Sequence, residues 1–484
     1  MDFVTSEYYL WFLPIVFLLT FTIGHKQKRR QIGILMVSSY VFFWMASGWH
    51  MLLLLTSTLV DWTAGKKINE SGDQQIRKRW LMGSLTINLG LLAIFKYLDF
   101  LIESWNWASL RISGAPEMDA FGLLLPVGIS FYTFQTMSYT IDIYRGKNKP
   151  YDDFLSFSCY AAFFPQLVAG PIVRSEHFRK EIENTLAPDP MRFRLGLTLI
   201  VYGLAKKLII ADNVAIHVNE IFVDGAPLDN LGLVWWGAIA FGIQIYCDFS
   251  AYTDIAIGSA LLFGIRLPEN FDSPYAATSP QDFWRRWHIS LSTWLRDYLY
   301  IPLGGSRNGP RVMLFALMMT MLLGGLWHGA SWNFVLWGLL HGLLLIGHRW
   351  LKKLQLIQTM FEKLPKTAPV VGWIVTQYFV FMTWLVFRVE ETSLLIPSLK
   401  TFVGINAHWD SLEMYNALPE IKFLTFGLAI LFFIGHFISC KVGGLKHWIA
   451  NRNPFIWGLA IGSMLSLTFL LRPAETVDFI YFRF

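Results

Sequence analysis

Long apolar runs separated by short polar segments recur from one end of the chain to the other. They fall at about 8–24, 33–47, a third ending near Ala64, 81–102, and a fifth that starts near Leu123 and ends at Arg145, Gly146 and Lys147. Further runs begin near Leu195 and Leu233 and then lie near 313–327, 332–346, 371–387, 423–437 and 456–471. A spanning helix needs roughly 20 mostly apolar residues, so the pattern predicts an all-α polytopic membrane protein of about 10 to 12 spans. The short alternating strands of a spanning barrel, the other way to satisfy backbone groups in lipid, are missing. The whole chain, 1–484, reads as a single membrane domain. The stretch from Phe163 to Pro171 is apolar but interrupted by Pro165 and closed by Pro171. It is too short to span and predicts a short helix that enters the membrane and turns back. Such broken backbone is tolerated only inside protein or beside a water-filled cavity.

Composition strengthens this picture. Hydrophobic residues make up 54% of the chain and charged residues only 15%, against about 25% charged in soluble domains. The formal charge of +6 is explained by basic loops at helix ends, so no nucleic-acid partner is expected. The cluster His25 to Arg30 follows the first run, and Lys66, Lys67, Arg77, Lys78 and Arg79 follow the third. The positive-inside rule puts both clusters in the cytoplasm and the N-terminus outside. The leading end carries Asp2 and Glu7 without a basic residue, which is not the pattern of a cleavable signal peptide. The three cysteines, Cys159, Cys247 and Cys440, have no metal-ligand spacing, and no metal site is expected.

Ionisable residues at membrane depth are costly and point to function. Two segments concentrate them. In Ser279 to Tyr298, Ser279 is a helix cap, Pro280 suits the first turn and Asp282 stands three residues after the cap. Continued as one helix, this segment puts Trp284, His288, Leu291 and Leu295 on a single face, with Trp287 beside it. Arg285, Arg286 and Arg296 cannot face lipid. The segment fits a helix lying in the interface or one lining a pocket, and both can hold for opposite faces. In Gly325-Leu326-Trp327-His328-Gly329, one histidine interrupts an apolar run between glycines, which leave space for close approach. A neutral imidazole there can accept a proton near pH 7. A third group, Gln244, Tyr246, Asp248, Ser250 and Asp254, lies in a span-like run. Its two acids need partners, for which Arg285 and Arg286 are candidates. No zinc-protease motif, phosphate loop or serine elbow is present.

These segments carry a resemblance. Residues 283–292 (FWRRWHISLS), 297–305 (DYLYIPLGG) and 325–329 (GLWHG), with 125–135, 163–174 and 246–250, resemble the membrane-bound O-acyltransferase family and its alginate O-acetylation branch. The resemblance implies a bundle around a central tunnel, with His328 as the catalytic histidine and His288 as the second active-site histidine. It implies a thioester donor, acetyl-coenzyme A or an acyl carrier, that the basic cytoplasmic loops attract, and no bound cofactor. It implies an inner-membrane protein delivering its acyl group to a separate extracytoplasmic SGNH-type acetyltransferase. Trp284, Trp287 and Trp327, with Tyr246, Asp248 and Arg285, line the tunnel in this reading and exclude water. Phe479, Tyr481 and Phe484 match an aromatic tail linked to acyl relay, with Tyr481 as the acceptor. A transporter or flippase, or a scaffold of an exopolysaccharide export complex, is the alternative. The first usually shows repeat symmetry, which is not found here, and neither requires an indispensable histidine.

Overall fold

The computed structural model describes residues 2–112, 117–168, 170–183, 189–222, 228–418, 422–474 and 477–482. The described residues contain no strands, only an isolated bridge between Asn230 and His408. Eight helical stretches among them are long and apolar enough to cross a membrane, including Leu231–Leu262, Pro310–His328, Trp332–Leu351, Ala368–Arg388, Lys422–Val442 and Pro454–Leu471. The protein is an all-α, multi-pass membrane protein. Its chain divides into two compact units, 1–200 with 255–268, and 201–254 with 269–484.

In the first unit, Lys28–Ser47 and Met51–Glu70 are separated at Gly48, whose φ of 58° suits a residue without Cβ. The run expected from Leu123 stays extended at first. Its helix begins only at Ile129, after Pro126 and the left-handed Gly128. Pro disfavours a helical residue before it, and a Cβ at Gly128 would collide with the Leu167 carbonyl. The proline-bracketed stretch holds the four-residue helix Phe164–Leu167, entirely buried. Asp61, buried on Met51–Glu70, accepts hydrogen bonds from Ser84 (2.5 Å), Asn88 (3.1 Å) and Thr140 (3.1 Å). Neutral donors thus satisfy a carboxylate that lipid would not.

In the second unit, helices Pro310–His328 and Trp332–Leu351 run antiparallel with their backbones close together. A Cβ at Gly325 would strike the Phe334 carbonyl and the Gly338 backbone, and one at Gly338 would strike the Met321 carbonyl. Dispersion and close packing hold helices together where lipid removes the hydrophobic drive. The glycine beyond the histidine, Gly329, is likewise filled by the Phe334 ring. These glycines serve helix packing and do not open the space for reactants that the sequence suggested.

Candidate active site

The segment Ser279 to Tyr298 is not one helix. Ser279 caps as expected, its Oγ accepting from Asp282 N at 3.1 Å, and Pro280–Arg286 forms. The helix then breaks, and a second one, Ile289–Leu295, follows. His288, at the break, is left-handed with φ 41° and ψ 56°. Such a conformation costs a non-glycine residue of order 1–3 kcal/mol and persists only where surroundings enforce it. Here Asn270 enforces it: Ile289 N donates to Asn270 O (2.9 Å) and Ser290 N to Asn270 Oδ1 (3.2 Å). Asp272 N donates to Arg286 O (3.0 Å) one step earlier. The break turns a fully buried His288 inward.

A closed circuit of ring contacts results. His288 lies 5.7 Å from Trp327 and Trp327 lies 5.1 Å from His328, centroid to centroid. His328 lies 5.7 Å from Tyr481, Tyr481 4.4 Å from Phe249, and Phe249 4.7 Å from His288. Two histidines forty positions apart and a tyrosine from the far end of the chain thereby share one aromatic enclosure. The Tyr481 Oη is shielded from solvent and has no hydrogen-bond partner among the described residues. His328 also packs on Trp337 (5.0 Å) and Phe387 (5.5 Å). Trp287 is fully buried against Trp384 (4.8 Å) and Tyr246 (6.3 Å). Trp284 is one ring further out, 5.7 Å from Trp337, with its Nε1 donating to His341 Nδ1 at 3.3 Å. Arg285 is exposed and lines a different cavity.

The tail is held in this enclosure by buried charge. Lys207 Nζ sits 2.8 Å from Asp212 and 2.9 Å from Asp248, all with side chains 1% exposed. The same ammonium donates to Val477 O (2.6 Å), while Ile480 N donates to Asp248 Oδ2 (2.8 Å). Phe479 stacks on Tyr252 at 3.9 Å. Phe484, the last position of the tail pattern, lies outside the described residues. The arginines considered as partners for the two acids are not used. Asp248 takes Lys207, Asp254 takes Lys206 and Lys446 (2.6 Å each), and Arg286 pairs instead with Asp282 (3.1 Å). The missed signal was Lys206-Lys207 within an apolar run, an intramembrane cation pair. Trp337 and His341, one turn apart on one helix, and Phe249 were also missed.

A polar cavity of about 440 Å³ lies beside the enclosure, lined by Lys206, Ser250, Asp254, Glu269, Lys446 and His447 among others. Ile289, next to His288, and Phe271, 5.1 Å from Phe249, complete its wall. Burial pushes the Glu269 carboxyl up, but Lys446 and then His447 outweigh it and hold it below the usual carboxylate range. Burial works to lower the Lys446 ammonium, and Asp254 and Glu269 raise it instead. Each cation in this cavity is therefore matched by an acid.

Fold and site together define a class, a multi-pass helical membrane protein with two buried histidines enclosed among its helices. Comparison with known proteins makes it particular. Residues 147–389 match the membrane-bound O-acyltransferase family. A probable alginate O-acetylase AlgI of Pseudomonas putida is 38% identical over 458 residues, 94% of this chain and 89% of the relative. A peptidoglycan O-acetyltransferase of Helicobacter pylori is 32% identical over 100% of this chain and 97% of its own length. A teichoic acid D-alanyltransferase of Streptococcus thermophilus is 28% identical over 55% of this chain and 68% of its own. The chain belongs to the membrane-bound O-acyltransferase family and is an enzyme of membrane O-acyl transfer. That sets aside the transporter and scaffold alternatives.

Proposed function

We propose that this enzyme takes an acetyl group from a thioester on the cytoplasmic side of the bacterial inner membrane and relays it through Tyr481 to the outside. The donor is acetyl-coenzyme A or an acyl carrier, and the N-terminus is outside. His328 removes the Tyr481 phenol proton as Oη attacks the thioester carbonyl. The C–O bond forms, the C–S bond breaks, and His328 returns the proton to the departing thiolate. His288 orients or polarises the carbonyl. Phenol, with a pKa of about 10, is a better leaving group than an alkyl alcohol, so the aryl ester is a reactive donor for the serine of an extracytoplasmic SGNH-type transferase. That partner then acetylates a polysaccharide such as alginate, and no coenzyme crosses the membrane.

The observation that carries this reading is the Tyr481 phenol, enclosed against His328 with its hydroxyl unpartnered among the described residues. The polar cavity beside His288 offers the donor a hydrated approach. The relatives named as alginate and peptidoglycan acetylases support acetyl as the group and a polymer as the acceptor. The test is incubation of purified protein with radiolabelled acetyl-coenzyme A, with and without a partner transferase and polymer. Label on the wild-type protein that is absent from Tyr481→Phe and His328→Ala is the expected result. Normal polymer acetylation by Tyr481→Phe overturns the relay and leaves the tail as an aromatic anchor.

A further inference from the structure

Two cavities flank one end of helix Trp332–Leu351; neither is lined by His288, His328 or Tyr481, and Trp284 and Ile289 stand between the first of them and the enclosure. The first, about 440 Å³, sets Arg285 and Arg349 against an apolar wall that includes Ile289, Leu317 and Leu345. The second, about 450 Å³, is walled by Leu343, Leu344, Val371, Val375 and Phe379 and includes Lys352. His348 lines both, and its Nε2 is shielded from solvent without a hydrogen-bond partner among the described residues.

Two of the charges at this place lack an acidic partner among the described residues. Among the described residues neither Arg285 nor Arg349 pairs with a carboxylate, and Arg349 donates to the Met313 thioether. Arg296, in the same cavity, is compensated by Asp297 at 2.8 Å. The second cavity opens towards hydrocarbon. Leu343 and Val375 in its wall are 50% and 48% exposed, on helices apolar enough to span. The ligand that complements a pair of guanidiniums beside a lipid-facing apolar trough is amphipathic and anionic.

We propose that these two cavities bind one anionic phospholipid, its phosphate on Arg285 and Arg349 and an acyl chain along the apolar trough past His348. Arg349, Lys352 and Lys353 crowd this helix end, which by the positive-inside rule lies at the cytoplasmic leaflet, where anionic lipids attract basic residues. A thioester donor of an acetyl group has no long hydrocarbon to fill the second cavity, which favours lipid over donor.

Native mass spectrometry of the full chain in mild detergent, titrated with phosphatidylglycerol or phosphatidylcholine, tests this. One phosphatidylglycerol is retained per chain and phosphatidylcholine is not. Arg285→Gln with Arg349→Gln weakens retention about thirtyfold, the fold-change of two basic residues at roughly 1 kcal/mol each, while Arg285→Lys with Arg349→Lys keeps most of it. Gly347 lines the apolar cavity and nothing lies within 4 Å of a Cβ built there, so Gly347→Leu fills the trough and weakens retention without touching charge. If the glutamine variant does not fold, Gly347→Leu decides alone. Equal retention of the two lipids, undiminished retention in the variants that fold, or displacement of phosphatidylglycerol by acetyl-coenzyme A each overturns the proposal.

Discussion

His328 ends helix Pro310–His328 with its ring walled by Trp327, Trp337, Phe387 and Tyr481. Rings on these sides fix its orientation. Replacing it with alanine is expected to lower acyl transfer about 100- to 10,000-fold, the usual cost of a lost general base, with membrane insertion and purification yield unchanged. Counting acetyl groups on polymer checks this, and near-normal acetylation by a well-folded variant refutes the assignment. His288→Ala is expected to cost no more than His328→Ala, because a polarising imidazole transfers no proton. Both histidines stood out in the sequence, His328 as an ionisable side chain in an apolar run and His288 in a segment crowded with arginines and tryptophans. Their mutual proximity came only with the resemblance, because forty residues of chain lie between them. The role of Lys207 was hidden for a different reason. The arginines nearer in sequence to the acids looked like the natural partners, and only three-dimensional packing brings Lys207 to Asp248 and Val477.

At the level of helices, most spans fell where apolar length placed them, because lipid leaves a buried backbone few alternatives. The break at His288 did not show, since the apolar period continues unbroken through it. What overrides the period is Asn270, whose backbone and side chain hold Ile289 and Ser290. The glycines of the histidine segment were conspicuous, but their use was not. Gly325→Ala is expected to push helices Pro310–His328 and Trp332–Leu351 apart, at about 1–3 kcal/mol for an overpacked contact, and to displace His328 enough to reduce activity. Gly324→Ala meets only Leu295 Cδ1 at 3.1 Å, and is expected to melt close to wild type. Thermal unfolding in detergent, with an activity assay on each variant, compares the two; equal melting temperatures contradict the packing account.

Across the second unit, residues remote in sequence are joined by charge. Lys207, Asp212 and Asp248 hold a tail more than two hundred residues away. Lys207→Met leaves two carboxylates buried without their cation, a change that typically costs 3–5 kcal/mol, roughly enough to free the tail. Limited proteolysis should then cut at 477–482 in the variant and spare the wild type; equal protection would show that stacking of Phe479 suffices. The Lys446–Glu269 pair makes a pH prediction. The depressed Glu269 carboxyl adds stability that is present above its ordinary pKa of about 4.3 and lost as pH falls below it. The raised Lys446 ammonium adds stability that is present below its ordinary pKa of about 10.4 and lost as pH rises through its higher folded value. The pair's contribution to melting temperature should therefore be level between these limits and decline in acid, so that Glu269→Gln shows a shallower acid limb than the wild type. Finally, the enclosure is flanked by indoles close enough to interact: Trp287 and Trp384 at 4.8 Å, Trp337 and Trp384 at 6.2 Å, Trp284 and Trp337 at 5.7 Å. Chromophores at such separations share their excitations. Loss of Trp337 or Trp384 is therefore expected to remove a distinct part of the near-ultraviolet circular dichroism contributed by the 21 tryptophans of the chain. An occupant of the site would then be followed by difference spectra of the wild type and the Trp337→Phe variant, without a label.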